Sequence, residues 1–296
     1  MDLITRQPWM AAFRRQCEGR GLVWTEKQLS RPSGYSKLLF IGRPESAGTK
    51  TILFLHGLGD DLLFPQARLF GHLINAGWSI ASCDLDGHGQ GNDSLFKNEE
   101  ITSLPKSLIE FVDTFNTRQC KMHFMGFSLG GALLLNHTAK FPERVKSLTL
   151  IGTPLKVPET PSPQQLVQEL SGLFGQSFRG AVKEFRISSA IPAFGPFRRG
   201  QYPVRLGNPD STSAKEARVL INQMALLKNL RLTRFPLLYI AGDRDWIASL
   251  SEAERAKSEL KQMESYTIPR ATHLSCLHEL NCWNRIEIFL NAAQHS

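Results

Sequence analysis

The sequence predicts an α/β protein, with a mostly parallel sheet of eight strands, helices on both faces and a mainly helical cap inserted after strand six. Three observations predict it. Short β-rich runs alternate with longer amphipathic runs, the pattern of a parallel sheet covered by crossover helices. That alternation halts across residues 155–234 and then resumes. Finally, Gly126-Phe127-Ser128-Leu129-Gly130-Gly131 crowds three glycines around a serine where an apolar strand-like run meets an apolar helix-like one.

The elements follow in order. Residues 22–29 and 37–41 are the first two strands, joined as a hairpin through Arg31-Pro32-Ser33-Gly34. Residues 51–55 form a buried strand, 66–76 a helix, 78–83 a strand and 104–116 a helix. Residues 121–125 read as a strand, 129–140 as a helix and 145–151 as a strand. After the interruption come a strand at 236–241, a charged amphipathic helix at 251–263, a strand at 265–268 and a closing helix at 283–292. Within the interruption, Pro154, Pro158, Pro161 and Pro163 precede short helices at 164–174, 178–185 and 214–227. A long excursion between buried strands is usually functional. The domain division expected is 1–154 with 235–296 as core, and 155–234 as cap.

Composition narrows the class. The 296 residues are 42% apolar and 21% charged, ordinary values for a globular protein. No apolar run approaches the roughly 20 residues a membrane helix needs, and the N-terminal stretch makes a poor signal peptide. Its Trp9, Met10 and Phe13 mark one face of a short helix, for packing on the body or for a membrane surface. The five cysteines (Cys17, Cys83, Cys120, Cys276 and Cys282) are odd in number and lack CxxC spacing, which suits a reduced, cytoplasmic protein. The net charge of +8 comes without a basic block interleaved with aromatics, so nucleic acid is not the expected partner.

The glycine-crowded turn carries the chemistry. A strand that feeds directly into a helix can expose one residue at the carboxyl edge of a sheet, provided its neighbours two positions away are small. Gly126 and Gly130 flank Ser128 in that way, giving the G-x-S-x-G nucleophile elbow, while Gly131 lets the helix approach the sheet. The alternative is a glycine-rich loop with a capping serine. An elbow would aim the Leu129 N–H, at a helix N-terminus, toward developing negative charge. Serine needs a base, and the base needs a carboxylate to orient it. Ala241-Gly242-Asp243-Arg244-Asp245-Trp246 and Pro269-Arg270-Ala271-Thr272-His273 follow the last two strands, so an acid and a histidine stand in order on the same edge. Asp243 and His278 are the alternatives within those segments.

With these residues in place the chain resembles the α/β-hydrolase superfamily over nearly its whole length, as a serine esterase-like member with a cap domain. The resemblance selects Asp245 over Asp243 as the acid, which leaves Asp243 to cap its loop or pair with Arg244. It selects His273 over His278, which is left a surface role on a helix. His56-Gly57-Leu58-Gly59 matches the family's H-G-x-G loop, implying an oxyanion hole from the N–H groups of Leu58 and Leu129. His56 is then a structural tie between loops, and Gly57 a loop glycine. Asp84-Leu85-Asp86-Gly87-His88-Gly89-Gln90-Gly91 resembles the family's D-x-R-G-x-G-x-S, departing at Asp86 and Gly91. Asp60, Asp61, Asp84 and Asp86 lie on neighbouring loops, yet solvated loop carboxylates are commoner than a cation site, and neither metal nor cofactor is expected. His72, His123, His137 and His295 are expected to be structural.

The implied activity is hydrolysis of a carboxylic ester with a short- to medium-chain acyl group, with Phe127 and Trp246 as pocket residues. A thioesterase or acyltransferase is the alternative, and a non-catalytic binding protein on the same fold is the other class. The region 155–234 holds twelve basic residues against five acidic ones, an excess of seven in a chain of net charge +8. That excess reads either as a solvated surface or as a means of capturing an anionic acyl carrier.

Overall fold

The run Thr51-Ile52-Leu53-Phe54-Leu55 ends in four consecutive apolar residues with no alternation to a polar face, which a strand can bury only with helices on both sides. All five are buried in the computed structural model. It describes residues 8–31, 34–43, 50–58, 60, 62, 63, 66–85, 121–159, 162, 164, 165, 168, 212–248 and 250–295. The strands are β1 (Val23–Arg31), β2 (Gly34–Gly42), β3 (Thr51–Leu55), β4 (Ser79–Cys83), β5 (Met122–Phe127), β6 (Val145–Ile151), β7 (Leu237–Gly242) and β8 (Met263–Ile268). They form one eight-stranded sheet in the order β1-β2-β4-β3-β5-β6-β7-β8. β2 pairs antiparallel with both β1 and β4, and the remaining pairs are parallel. The β1–β2 register brackets residues 32 and 33 between Arg31 and Gly34, the hairpin expected from Pro-Ser at that point.

The helices are α1 (Pro8–Glu18), α2 (Ala67–Asn75), α3 (Leu129–Lys140), α4 (Thr212–Gln223), α5 (Leu226–Leu232), α6 (Leu250–Glu259) and α7 (Leu280–Gln294). Strand alternation divides the core between them. Ile52, Phe54, Met125, Phe127, Leu238 and Ile240 join α1, α2 and α7 on one face. Leu53, Leu55, Phe124, Leu148, Leu150 and Tyr239 join α3, α4, α5 and α6 on the other. Phe13 of α1 is fully buried and meets Trp24 edge-on at 5.9 Å, so this apolar residue of the N-terminal helix packs on the protein body.

Two helices differ from expectation. The amphipathic run at 251–263 ends at Glu259, and Met263 opens β8 opposite Leu237. An apolar residue at helical spacing was thus a strand's first inward side chain. The run 214–227 is two helices, broken at Ala225 in left-handed backbone with φ 46°. The break lets Leu226 and Leu230 turn onto the core, and the Asn229 side chain donates to the freed carbonyl of Met224 at 2.6 Å. These residues belong to the expected cap, and Ala217, Leu220, Ile221, Leu226 and Leu230 share the apolar cluster of α3. The helix expected at 104–116 lies outside the described residues, as do 178–185 and most of 164–174. Among the described residues no helix is long and apolar enough to cross a membrane.

Candidate active site

Because β3, β5, β6, β7 and β8 run parallel, their carboxyl ends share one edge of the sheet. That edge carries His56, Ser128, Gly152, Asp245 and His273 within five residues of a strand end. Ser128 sits between β5 and α3 with φ 50° and ψ −117°, a conformation that side chains rarely adopt. Its N–H donates to the Ile151 carbonyl at 2.9 Å, and its carbonyl accepts the Ala132 N–H at 3.1 Å. The glycines around it make the turn sterically feasible. A Cβ on Gly126 would lie 2.5 Å from the backbone of Gly131, and one on Gly130 would lie 2.3 Å from the Leu55 carbonyl oxygen. Gly131 lets the helix approach β5, since a Cβ there would lie 3.1 Å from the Gly126 carbonyl oxygen, and it would also meet Thr153 Oγ1 in the loop after β6.

Ser128, His273 and Asp245 form one hydrogen-bonded chain. Nδ1 of His273 is 3.0 Å from each carboxylate oxygen of Asp245, which fixes the proton on Nδ1. Nε2 therefore accepts, and the Ser128 hydroxyl donates to it at 3.0 Å. Asp245 Oδ1 also accepts the N–H groups of Ile247 and Ala248, each at 2.9 Å. Those bonds fix the orientation of the carboxylate. The Asp245 side chain is fully enclosed, and His273 is nearly so. Asp243, two residues earlier, is exposed.

Phe127 lies elsewhere than a pocket-lining role requires. It is only 1% exposed and stacks on the His273 ring at 4.9 Å, forming the floor beneath the imidazole. Phe127 also packs so near Gly57 that a Cβ there would come within 2.8 Å of its ring. Trp246 is partly exposed, and its indole nitrogen is enclosed without a hydrogen-bond partner among the described residues. His278 closes a short 3-10 turn (Ser275–His278) and is partly buried, not a surface residue on a helix. Burial and the nearby Arg68 push its pKa down to about 4.

The loop after β3 is held by His56. The Leu85 N–H donates to His56 Nε2 at 2.9 Å, so Nδ1 carries the proton and donates to the Gly57 carbonyl at 2.8 Å. Asp60 Oδ2 accepts the Gly57 N–H at 3.1 Å, and Asp84 Oδ1 accepts the Leu62 N–H at 2.9 Å. These two acidic side chains brace loops. Asp61 and Asp86 lie outside the described residues, and among those described no cluster of His, Cys, Asp or Glu could hold a metal. The N–H groups of Leu58 and Leu129 have no hydrogen-bond acceptor among the described residues. His72, His123 and His137 are built into the frame, whereas His295 is exposed and His88 lies outside the described residues. His123 accepts from Ser147 Oγ at 2.7 Å and donates to Gln294 at 2.8 Å, and His72 lies 2.8 Å from Glu287.

Sequence reasoning missed Gly152. It has φ 54°, and a Cβ there would come 3.1 Å from His273 Nδ1 and 3.2 Å from Asp245 Oδ2. A glycine directly after a strand on the functional edge was the available signal.

Comparison with known proteins agrees with this architecture. The family described as Hydrolase_4, serine aminopeptidase S33, matches residues 47–281. A stretch of 107 residues is 32% identical to the dihydrolipoyllysine-residue acetyltransferase component of the acetoin cleaving system of Pseudomonas putida, covering 36% of this chain and 27% of that protein. Another, of 137 residues, is 30% identical to the 2-hydroxy-6-oxononadienedioate/2-hydroxy-6-oxononatrienedioate hydrolase of Escherichia coli strain K12, covering 44% and 46%. The chain thus spans between about a quarter and a half of the length of these relatives. Among solved structures, a thermophilic esterase from Thermogutta terrifontis superposes with a TM-score of 0.59 at 16% identity, over 92% of this chain and 99% of that one. The thioesterase domain from the curacin biosynthetic pathway gives 0.54 at 18%, over 91% and 99%. At such identities the likeness is one of fold. With a family match spanning the six strands from β3 to β8, the elbow and the histidine loop, the chain belongs to the serine aminopeptidase S33 family of α/β hydrolases.

Proposed function

We propose that the protein is a serine hydrolase of carboxylic esters with short- to medium-chain acyl groups. The observation that carries the reading is the continuous chain from Ser128 Oγ through His273 to Asp245, with each link at 3.0 Å. In this mechanism Ser128 Oγ attacks the acyl carbon while His273 Nε2 takes its proton. The resulting imidazolium is stabilised by Asp245, and the oxyanion is held by the Leu58 and Leu129 N–H groups. Collapse of the tetrahedral intermediate expels the alcohol, which receives the proton from His273. Water, activated by the same imidazole, then attacks the acyl-enzyme and releases the acid. The unspent Leu129 N–H stands at the positive end of α3, where it would stabilise negative charge. Losing either oxyanion donor typically raises the barrier by about 3 kcal/mol. Residues 155–234 are the cap over this edge in this reading, with 1–154 and 235–296 as the core, and Trp246 borders the acyl site.

A thioester or acyl-transfer substrate is the second reading, favoured by the excess of basic residues between 155 and 234. Arg231 does not contribute to such a field as a lone charge, since it pairs with Glu259 at 2.7 Å. One experiment separates the readings. A fluorophosphonate probe should label the wild-type protein and leave Ser128→Ala unlabelled; a labelled Ser128→Ala protein would remove Ser128 as nucleophile. Nitrophenyl esters and acyl-CoAs graded by chain length should then be compared at low and high salt. A kcat/KM for acyl-CoA that falls steeply with salt, beside unchanged neutral esters, favours an anionic acyl carrier. Equal responses remove the carrier and leave the simple ester.

A further inference from the structure

The segment Ile151-Gly152-Thr153 touches every part of the hydrogen-bonded chain. The Ile151 carbonyl accepts the N–H of Ser128 at 2.9 Å. Gly152 turns with positive φ so that its Cα faces His273 and Asp245, and a methyl group there would press on both at 3.1–3.2 Å. Thr153 Oγ1 occupies the space beside Gly131, at the start of the helix that carries the serine. The segment is therefore a wedge, with the nucleophile on one side and the base and acid on the other. One side chain ties the far end of the wedge to β7. Tyr239 of β7 is fully buried, and its hydroxyl donates to the Thr153 carbonyl at 2.7 Å. Burial, followed by Asp245 and Cys276, pushes the phenol well above its ordinary pKa, so it remains a donor throughout the working range of an enzyme.

We propose that Tyr239 is a positioning residue that sets the spacing between Ser128 and His273 by anchoring this wedge to β7, the strand that leads to Asp245. The inference rests on the catalytic reading of Ser128, His273 and Asp245. Three features support it over a purely packing role. The Tyr239 ring lies in an otherwise aliphatic strand, Leu-Leu-Tyr-Ile-Ala-Gly, where Leu or Val would fill the core without a polar atom to satisfy. Its acceptor is a loop carbonyl and not a strand partner. Gly152 N–H also bonds back to β7, to the Ile240 carbonyl at 2.7 Å, so wedge and strand are joined at two adjacent points.

The test compares wild type, Ser128→Ala, Tyr239→Phe, Gly131→Ala and Gly131→Ala with Thr153→Ala, as full-length chains, with 4-nitrophenyl butyrate and a fluorophosphonate. Tyr239→Phe keeps the ring and removes the anchor. It is expected to lower kcat and the labelling rate about 10- to 100-fold, the scale of a small misplacement of reacting groups. KM should stay within about twofold. With Asp245 less well placed to stabilise the imidazolium, the acid limb of kcat/KM should move to lower pH. Gly131→Ala should slow labelling by pushing on Thr153, and Thr153→Ala should restore part of the rate. A Tyr239→Phe protein with kcat within twofold of wild type, or with its loss confined to KM, overturns the proposal. So does a Gly131→Ala defect that Thr153→Ala leaves untouched, and this pair decides the matter if Tyr239→Phe does not fold. A wild-type protein that fails to label, like Ser128→Ala, overturns the catalytic reading together with the proposal, whereas labelling of wild type with an indifferent Tyr239→Phe overturns the proposal alone.

Discussion

Acid should unfold this protein through histidines that have no part in the proposed chemistry. His123 is buried between Ser147 and Gln294, with Trp78 set edge-on 5.0 Å away. Burial chiefly, opposed by the Gln294 hydrogen bond and aided by Lys146, lowers its pKa to about 4. Burial with Arg144 and Lys140 does the same to His137. In the unfolded chain each returns to an ordinary value near 6.5. Between pH 6.5 and 4 the unfolded state therefore binds more protons than the folded one, and stability falls as pH falls. Above pH 6.5 both states are neutral at these sites and the contribution is flat. A shift of that size corresponds to on the order of 3 kcal/mol for each histidine at the acid end of the window. Two such groups are a large part of a domain's usual stability of about 5–15 kcal/mol. Urea unfolding followed by circular dichroism at several pH values between 7.5 and 4.5 measures the slope. His123→Gln, which keeps a donor and an acceptor but cannot titrate, should flatten the slope by up to one proton, whatever stability it loses at pH 7.5. Carboxylates contribute to both proteins and cancel in the difference. Identical slopes for wild type and His123→Gln would refute the argument that burial keeps this imidazole neutral.

Further outcomes follow from the geometry. Asp245→Asn should retain the fold and lose about 10³-fold or more in kcat, because the amide favours the wrong imidazole tautomer; steady-state kinetics with a nitrophenyl ester checks it. Gly130→Ala places its methyl group against two backbone carbonyls, Leu55 and His56, which cannot rotate away, so thermal denaturation should show a loss of about 3 kcal/mol or failure to fold. Ala225→Gly should be stabilising, since the exposed Ala225 bears a left-handed conformation that costs an L-residue about 1–2 kcal/mol, part of which glycine recovers; a lower melting temperature in the variant would contradict this. His56→Ala cuts two hydrogen bonds that tie the loop after β3 to Leu85, and should cost about 1–3 kcal/mol in urea unfolding while also slowing labelling of Ser128.

Much of the site was legible because backbone requirements leave marks on residue identity. An elbow at Ser128 needs Gly126 and Gly130, and a mutation at either is visible as a collision with backbone. His56 could be read as a tie between loops because it followed a buried strand within an H-G-x-G loop. Phe127 was misread because a residue beside a nucleophile suggests a pocket. In fact strand alternation turns it, with Met125, to the face opposite Phe124, into the core under His273. The end of α6 was overrun for a related reason. Met263 continues a helical apolar pattern, and only pairing with Leu237 shows that it is strand.

The sequence by itself determined the alternation of strands and helices, the elbow, and the chain order of serine, acid and histidine. Each depends on local sterics or on burial patterns that repeat within a few residues. Tertiary structure alone decided that Gly152 faces His273 and Asp245, that Thr153 packs beside Gly131, and that Tyr239 anchors the loop after β6. Those contacts join residues far apart in the chain, with Ser128 and His273 separated by 145 positions and Tyr239 and Thr153 by 86. No local pattern encodes such pairings. They arise only when the parallel sheet brings the carboxyl ends of five strands to one edge.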